Sequence, residues 1–222
     1  MINVDNFDPS RLYDKYRVTI RFRDRVCGGM PKNPNLLKGW IAATTEHTDE
    51  QTTQQEKEAR DVLLQPTEEK SWNTFPEDER GLFLWARQIK ALFKECATML
   101  RVTTTKIGSK QIFQHGFEIK NVEESAPADR IYLGTKTPTA YAENPIHVTT
   151  AQGPRSAIKR VDYVEHATVK FCIWVLRTAT AEKRHVGETE IREMITFGQE
   201  NGIGADRSQG HGKFDVIEFQ KL

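Results

Sequence analysis

Glu188–Phe219 reads ETEIREMITFGQENGIGADRSQGHGKFDVIEF: a helix-like run, a glycine-rich joint and a strand-like run without interruption. Ile191, Met194 and Ile195 fall on one side of a 3.6-residue period, so Glu188–Asn201 is predicted as a helix with Gly202 as its stop. Phe214–Phe219 alternates as a closing strand. Between them stand Gly202, Gly204, Gly210 and Gly212, which permit positive φ and close backbone approach. Amides freed in this way can form a concave anion site, to which Arg207 and Lys213 add charge. The alternative is architectural, with the glycines chosen only for a tight crossing from helix to sheet.

Working outward, His166–Leu176 alternates through Val169, Phe171, Ile173 and Val175, and Ser156–Tyr163 precedes it as a further strand. Pro138, Pro145 and Pro154 bracket a long loop or hairpin between Thr135 and Gly153. Ile112–Val122 has strand character and Arg130–Gly134 adds a short strand. At the other end, Tyr16–Arg23 sends Tyr16, Val18, Ile20 and Phe22 to the core and Arg17, Arg21 and Arg23 to the opposite face. Cys27–Lys32 breaks that strand, and Asn33 as N-cap with Pro34 behind it starts a helix through Ile41.

The polar stretch from Thr44 to Lys70 reads as an excursion from the core. Thr74-Phe75-Pro76-Glu77 is taken as a capping box for a helix carrying Leu82, Trp85, Ala86, Ile89, Leu92, Phe93, Cys96 and Leu100. With 44–101 set aside as a mainly helical insertion, 1–43 and 102–222 give strand, helix, strand, strand, helix, strand. That order predicts an α+β chain with an antiparallel ferredoxin-like (RRM-like) βαββαβ core.

The run from Ile191 to Phe219 resembles the end of the RAMP superfamily, the ferredoxin-like RNA-binding proteins of CRISPR effector complexes and CRISPR-RNA processing. Their pattern of helix, G-x-G-A-x-R-S-x-G-x-G loop and closing strand is matched here by Gly202, Gly204, Ala205, Arg207, Ser208, Gly210 and Gly212, then Phe214, Val216 and Phe219. His211 departs from the pattern, standing where an aromatic is common. The resemblance covers about a quarter of the chain, and it implies contact between the guide-RNA backbone and Arg207, Ser208 and Lys213.

Lys and Arg number 32 against 31 Asp and Glu, a formal charge of +1, so nucleic-acid binding must come from a local patch rather than from a global field. Candidate patches are Arg17 and Arg21, Lys32 after the Gly28-Gly29 turn, and Arg155 with Lys159 and Arg160; in each case a solvated surface is the alternative. Tyr132 and Tyr141 either stack bases or pack the neighbouring loops.

Cys27, Cys96 and Cys172 lie far apart with no CxxC pair, which argues against a disulfide framework or a zinc site and predicts reduced thiols. The scattered histidines suggest no metal site, and no cofactor motif is present. A start without a basic-then-apolar pattern, and the lack of a long apolar window, predict a soluble cytoplasmic protein without a membrane partner.

The expected function is non-catalytic binding of single-stranded guide RNA within a multi-subunit complex. One alternative is a scaffold or assembly protein of a mobile element. The other is a metal-independent endoribonuclease, for which His47 is the weak catalytic candidate.

Overall fold

The computed structural model describes residues 12–32, 72–102, 112–150, 153–177 and 186–222. Within these the chain is a mixed α+β protein whose strands pair mostly antiparallel. The elements are β1 (Tyr13–Phe22), β2 (Arg25–Cys27), β3 (Met30–Pro31), β4 (Trp72–Thr74), β5 (Glu77–Asp78), β6 (Gly81–Trp85), α1 (Ala86–Met99), β7 (Phe117–Asn121), β8 (Arg130–Tyr132), β9 (Ala140–Thr150), β10 (Gly153–Glu165), β11 (Thr168–Leu176), α2 (Glu188–Asn201) and β12 (Phe214–Lys221).

The principal sheet has four strands in the order β12–β1–β11–β7, every neighbouring pair antiparallel. Its apolar face is built by alternation: Tyr16, Val18, Ile20 and Phe22 of β1 are buried, and so are Val169, Phe171, Ile173 and Val175 of β11. They share one cluster with Ile89, Leu92, Phe93 and Cys96 of α1 and with Ile191, Met194 and Ile195 of α2. Both helices therefore cover the same face, and the other carries the alternate residues of each strand. A second sheet joins the long β9–β10 hairpin to β2, β4 and β3, with β4 parallel to β10. A third is β5–β6–β8.

Several expectations are corrected. Thr74 and Glu77 do not cap a helix: they lie in β4 and β5, and Leu82 and Trp85 belong to β6. The helix begins at Ala86, where the Trp85 amide donates to Gln88 Oε1 at 3.0 Å. The sequence misleads because Gly81–Leu84 is buried throughout, and a short strand buried on both faces has the same apolar density as a helix. The buried residues of Ala86–Met99 join the main core. Cys27–Lys32, read as a break, contains the last residue of β2 and the whole of β3. The helix expected at 33–41, residues 44–71 and His47 lie outside the described residues.

Candidate nucleic-acid interface

The glycine-rich joint is built into the fold by its backbone. The amide of Ile203 donates to the Gly212 carbonyl at 2.9 Å, that of Ala205 to Cys27 at 3.0 Å, and that of Gly212 to Arg25 at 2.8 Å. Gly204 at φ 94° and Gly212 at φ 78° need glycine on two grounds, because a Cβ at either would strike backbone as well. At Gly204 it would sit 2.8 Å from the Cys27 carbonyl oxygen, and at Gly212 it would fall on that of Ile203. Gly202 ends α2 at φ 74°. Gly210, at φ 88° with open space around it, caps the exposed turn Arg207–Gln209 that holds Ser208.

The cations of this joint are held by carboxylates. Arg207 bonds Glu95 of α1 at 2.8 Å, and Lys213 bonds Glu200 of α2 at 2.9 Å. Lys159, from β10, pairs with Asp206 at 2.5 Å. His211 lies against Arg25, with nitrogens 3.1–3.3 Å apart. Burial and then the Arg25 guanidinium hold its imidazole below the ordinary histidine range. Burial, reinforced by the Asp206 carboxylate, pushes the Cys27 thiol up to about 11, so it stays protonated at neutral pH. The joint thus sews α1, α2, β2 and β10 together.

Two other predicted patches are similarly engaged. Lys32 Nζ sits 3.8 Å from the Trp72 ring centre and 3.9 Å from Asp162, and the Gly28 amide donates to the Asp162 carbonyl at 2.9 Å. Arg160 bonds Glu143 at 2.8 Å, and Arg155 lies in β10 with its side chain outside the described residues. The Tyr132 hydroxyl donates to Asp78 at 2.7 Å, and its ring packs edge-on against Phe83.

The face of the principal sheet opposite the two helices is different. β1 places Arg17, Thr19 and Arg21 there, and in register across β11 lie Cys172, Lys170 and Thr168. Among the described residues, Arg17, Arg21 and Lys170 have no carboxylate within ion-pair distance. Asp215 stands opposite Arg21, but Arg23 holds it at 2.8 Å. Arg17 Nε is buried and has no hydrogen-bond partner among the described residues. Arg17 and Lys170 line a groove of about 520 Å³ with Asn121, Tyr132, Thr168 and Glu218. Along the same face, Lys15 and Lys120 hold their ammonium groups 4.1 and 3.9 Å from the Trp174 ring centre.

Of the residues predicted from sequence, the structure brings Arg17 and Arg21 together here and leaves the glycine joint on its own. The sequence reading missed Lys170, Trp174, Lys15 and Lys120. The signal was present: in Thr168–Leu176 the residues out of phase with Val169, Phe171, Ile173 and Val175 are Lys170, Cys172 and Trp174.

No family model matches the chain, and no curated protein matches it. Among solved structures it is similar to a chain of the "Cryo-EM structure of the Type III-B Cmr-beta bound to cognate target RNA", with a TM-score of 0.49 and 15% identity over 96% of its own length. It spans 62% of that chain. No helix among the described residues is long and apolar enough to cross a membrane.

Proposed function

We propose that this chain binds single-stranded guide RNA along its phosphates, as a non-catalytic RAMP-like subunit of a CRISPR-type ribonucleoprotein. Its four-stranded sheet and two covering helices are then a ferredoxin-like core. The order β12–β1–β11–β7 with both helices on one face supports that assignment, as does the glycine pattern between α2 and β12. The observation that carries the binding reading is the trio Arg17, Arg21 and Lys170, set on adjacent strands of the face opposite the two helices, where among the described residues none is ion-paired and the nearby Glu218 accepts instead from Thr19. Cations gathered beside a groove form a local field in a chain whose net charge is only +1. A phosphate chain laid there fixes position, leaving sequence choice to the bases.

Fluorescence anisotropy with a labelled single-stranded RNA tests this reading. Arg17→Ala, Arg21→Ala and Lys170→Ala combined are expected to weaken binding by about tenfold or more at ~100 mM salt. Arg207→Ala with Lys213→Ala is expected to change it less than about threefold, because those cations already have partners. Wild-type affinity in the triple variant rejects the sheet face. A loss confined to the Arg207/Lys213 pair moves the contact to the glycine joint. The scaffold reading keeps one specific support, the carboxylate pairing of both loop cations; it is favoured if the purified chain binds no RNA.

A further inference from the structure

Apart from the sheet face opposite the two helices, a cavity of about 510 Å³ opens where the root of the β9–β10 hairpin meets β3, β4 and β5. Met30, Pro31, Phe75 and Pro138 give it apolar walls, and Tyr141, 51% exposed, offers a ring at its rim. Trp72 backs that ring, the two centroids 5.4 Å apart. The cavity's polar lining is Asp162, Lys32, Glu77 and Thr74. Asp162 lines the cavity though only 5% exposed; its Oδ1 accepts the Trp72 indole N–H at 2.7 Å, while its Oδ2 has the Lys32 ammonium at 3.9 Å, beyond hydrogen-bond range. An apolar slot with an aromatic wall and a buried, oriented carboxylate beside an ammonium, with the exposed Glu77 also on its lining, is the form of a site for a flat, polar-edged ligand.

We propose that this cavity takes a single guanine base, stacked on Tyr141. The Asp162 carboxylate is an acceptor only, so it favours an edge with adjacent donors. Guanine offers N1–H and the 2-amino group side by side, and its O6 next to them accepts from Lys32. The other bases fit worse. Adenine turns the N1 lone pair toward the carboxylate, uracil flanks one N–H with two carbonyls, and cytosine presents one amino group beside two acceptors. Each of these sets lone pair against lone pair in a largely buried place, and that repulsion is what selects. The proposal rests on the RNA reading only for the source of the base, since unstacked bases of single strands are read on such edges.

Isothermal titration of the full chain with GMP, AMP, CMP and UMP, and with an all-uridine octamer against the same octamer carrying one guanosine, tests the proposal. Guanine is expected to bind about tenfold more tightly than the other bases, which is ~1.4 kcal/mol. Tyr141→Ala is expected to remove that preference; its ring is half exposed, and its loss leaves the Trp72–Asp162 bond in place. Asp162→Asn, checked for folding by circular dichroism, is expected to do the same. Preference in the octamer alone identifies a base carried on RNA, and preference with GMP as well identifies a site that also admits the free nucleotide; both support the cavity. Equal affinity in both series, no binding in either, or a preference that survives both substitutions overturns it. Failure of the RNA reading shows differently, as absent binding of the uridine octamer while GMP is still preferred. The Arg17/Arg21/Lys170 variant should weaken both octamers equally.

Discussion

A methyl group added at Gly212 would fall on the Ile203 carbonyl oxygen, whereas one added at Gly210 meets nothing within 4 Å, although both glycines have positive φ. Gly210→Ala is therefore expected to cost only the left-handed penalty, about 1–2 kcal/mol. Gly212→Ala also forces the backbone apart and should lower the thermal midpoint several times further, as differential scanning fluorimetry of the two variants would show. The sequence announced the glycine density but not which glycine touches what: Gly212 crowds Ile203 within the joint, while Gly204 meets Cys27 and the Gly212 amide donates to Arg25, both far away along the chain. The loop cations carried the same ambiguity. Arg207 was legible as a charge, but its partner Glu95 lies 112 positions away, and nothing local signals the pairing.

Among the elements, the β5–β6–β8 sheet is fastened at its turn by Asp78. That carboxylate accepts from Arg130 and from Tyr132, with the Arg80 and Gly81 amides adding to the set. Burial pushes its pKa up, but these donors outweigh it and hold the group at about 2 against an ordinary 3.8. Folded Asp78 thus keeps its charge where the unfolded chain takes up a proton. The resulting stabilisation is present above about pH 4 and is lost as pH falls toward 2. Urea midpoints at pH 5 and pH 2.5 should show this loss in the wild type, and a smaller one in Asp78→Asn, which is less stable at pH 5. Periodicity exposed α2, β1, β11 and β12 directly, since each has one buried face. It failed at β6, where burial on both faces erases the alternation and let Leu82 and Trp85 join the helical count of α1.

Taken whole, the molecule carries a formal charge of +1, so RNA affinity must arise from a few cations rather than from its overall field. Three phosphate contacts imply a slope of log affinity on log salt near about −2 for a single strand. Anisotropy titrations across sodium chloride concentrations should return that shallow slope, and a flatter one for the Arg17/Arg21/Lys170 variant. The strands β1, β7, β8, β10, β11 and β12 were readable in order, but the short β2–β6 were not, and the destination of a helix such as α1 is set by which sheet its apolar stripe meets. Sequence alternation could have marked the face opposite the two helices through Lys170, yet which of its charges are ion-paired is settled only by neighbours from distant segments. One further consequence follows from the Lys159–Asp206 tether, which runs from the long hairpin to the joint between α2 and β12. It acts as a guy-rope: load on the hairpin is passed through Asp206 to the root of the last strand, so neutralising that one aspartate would slacken the hairpin's stance while both sheets keep their ladders.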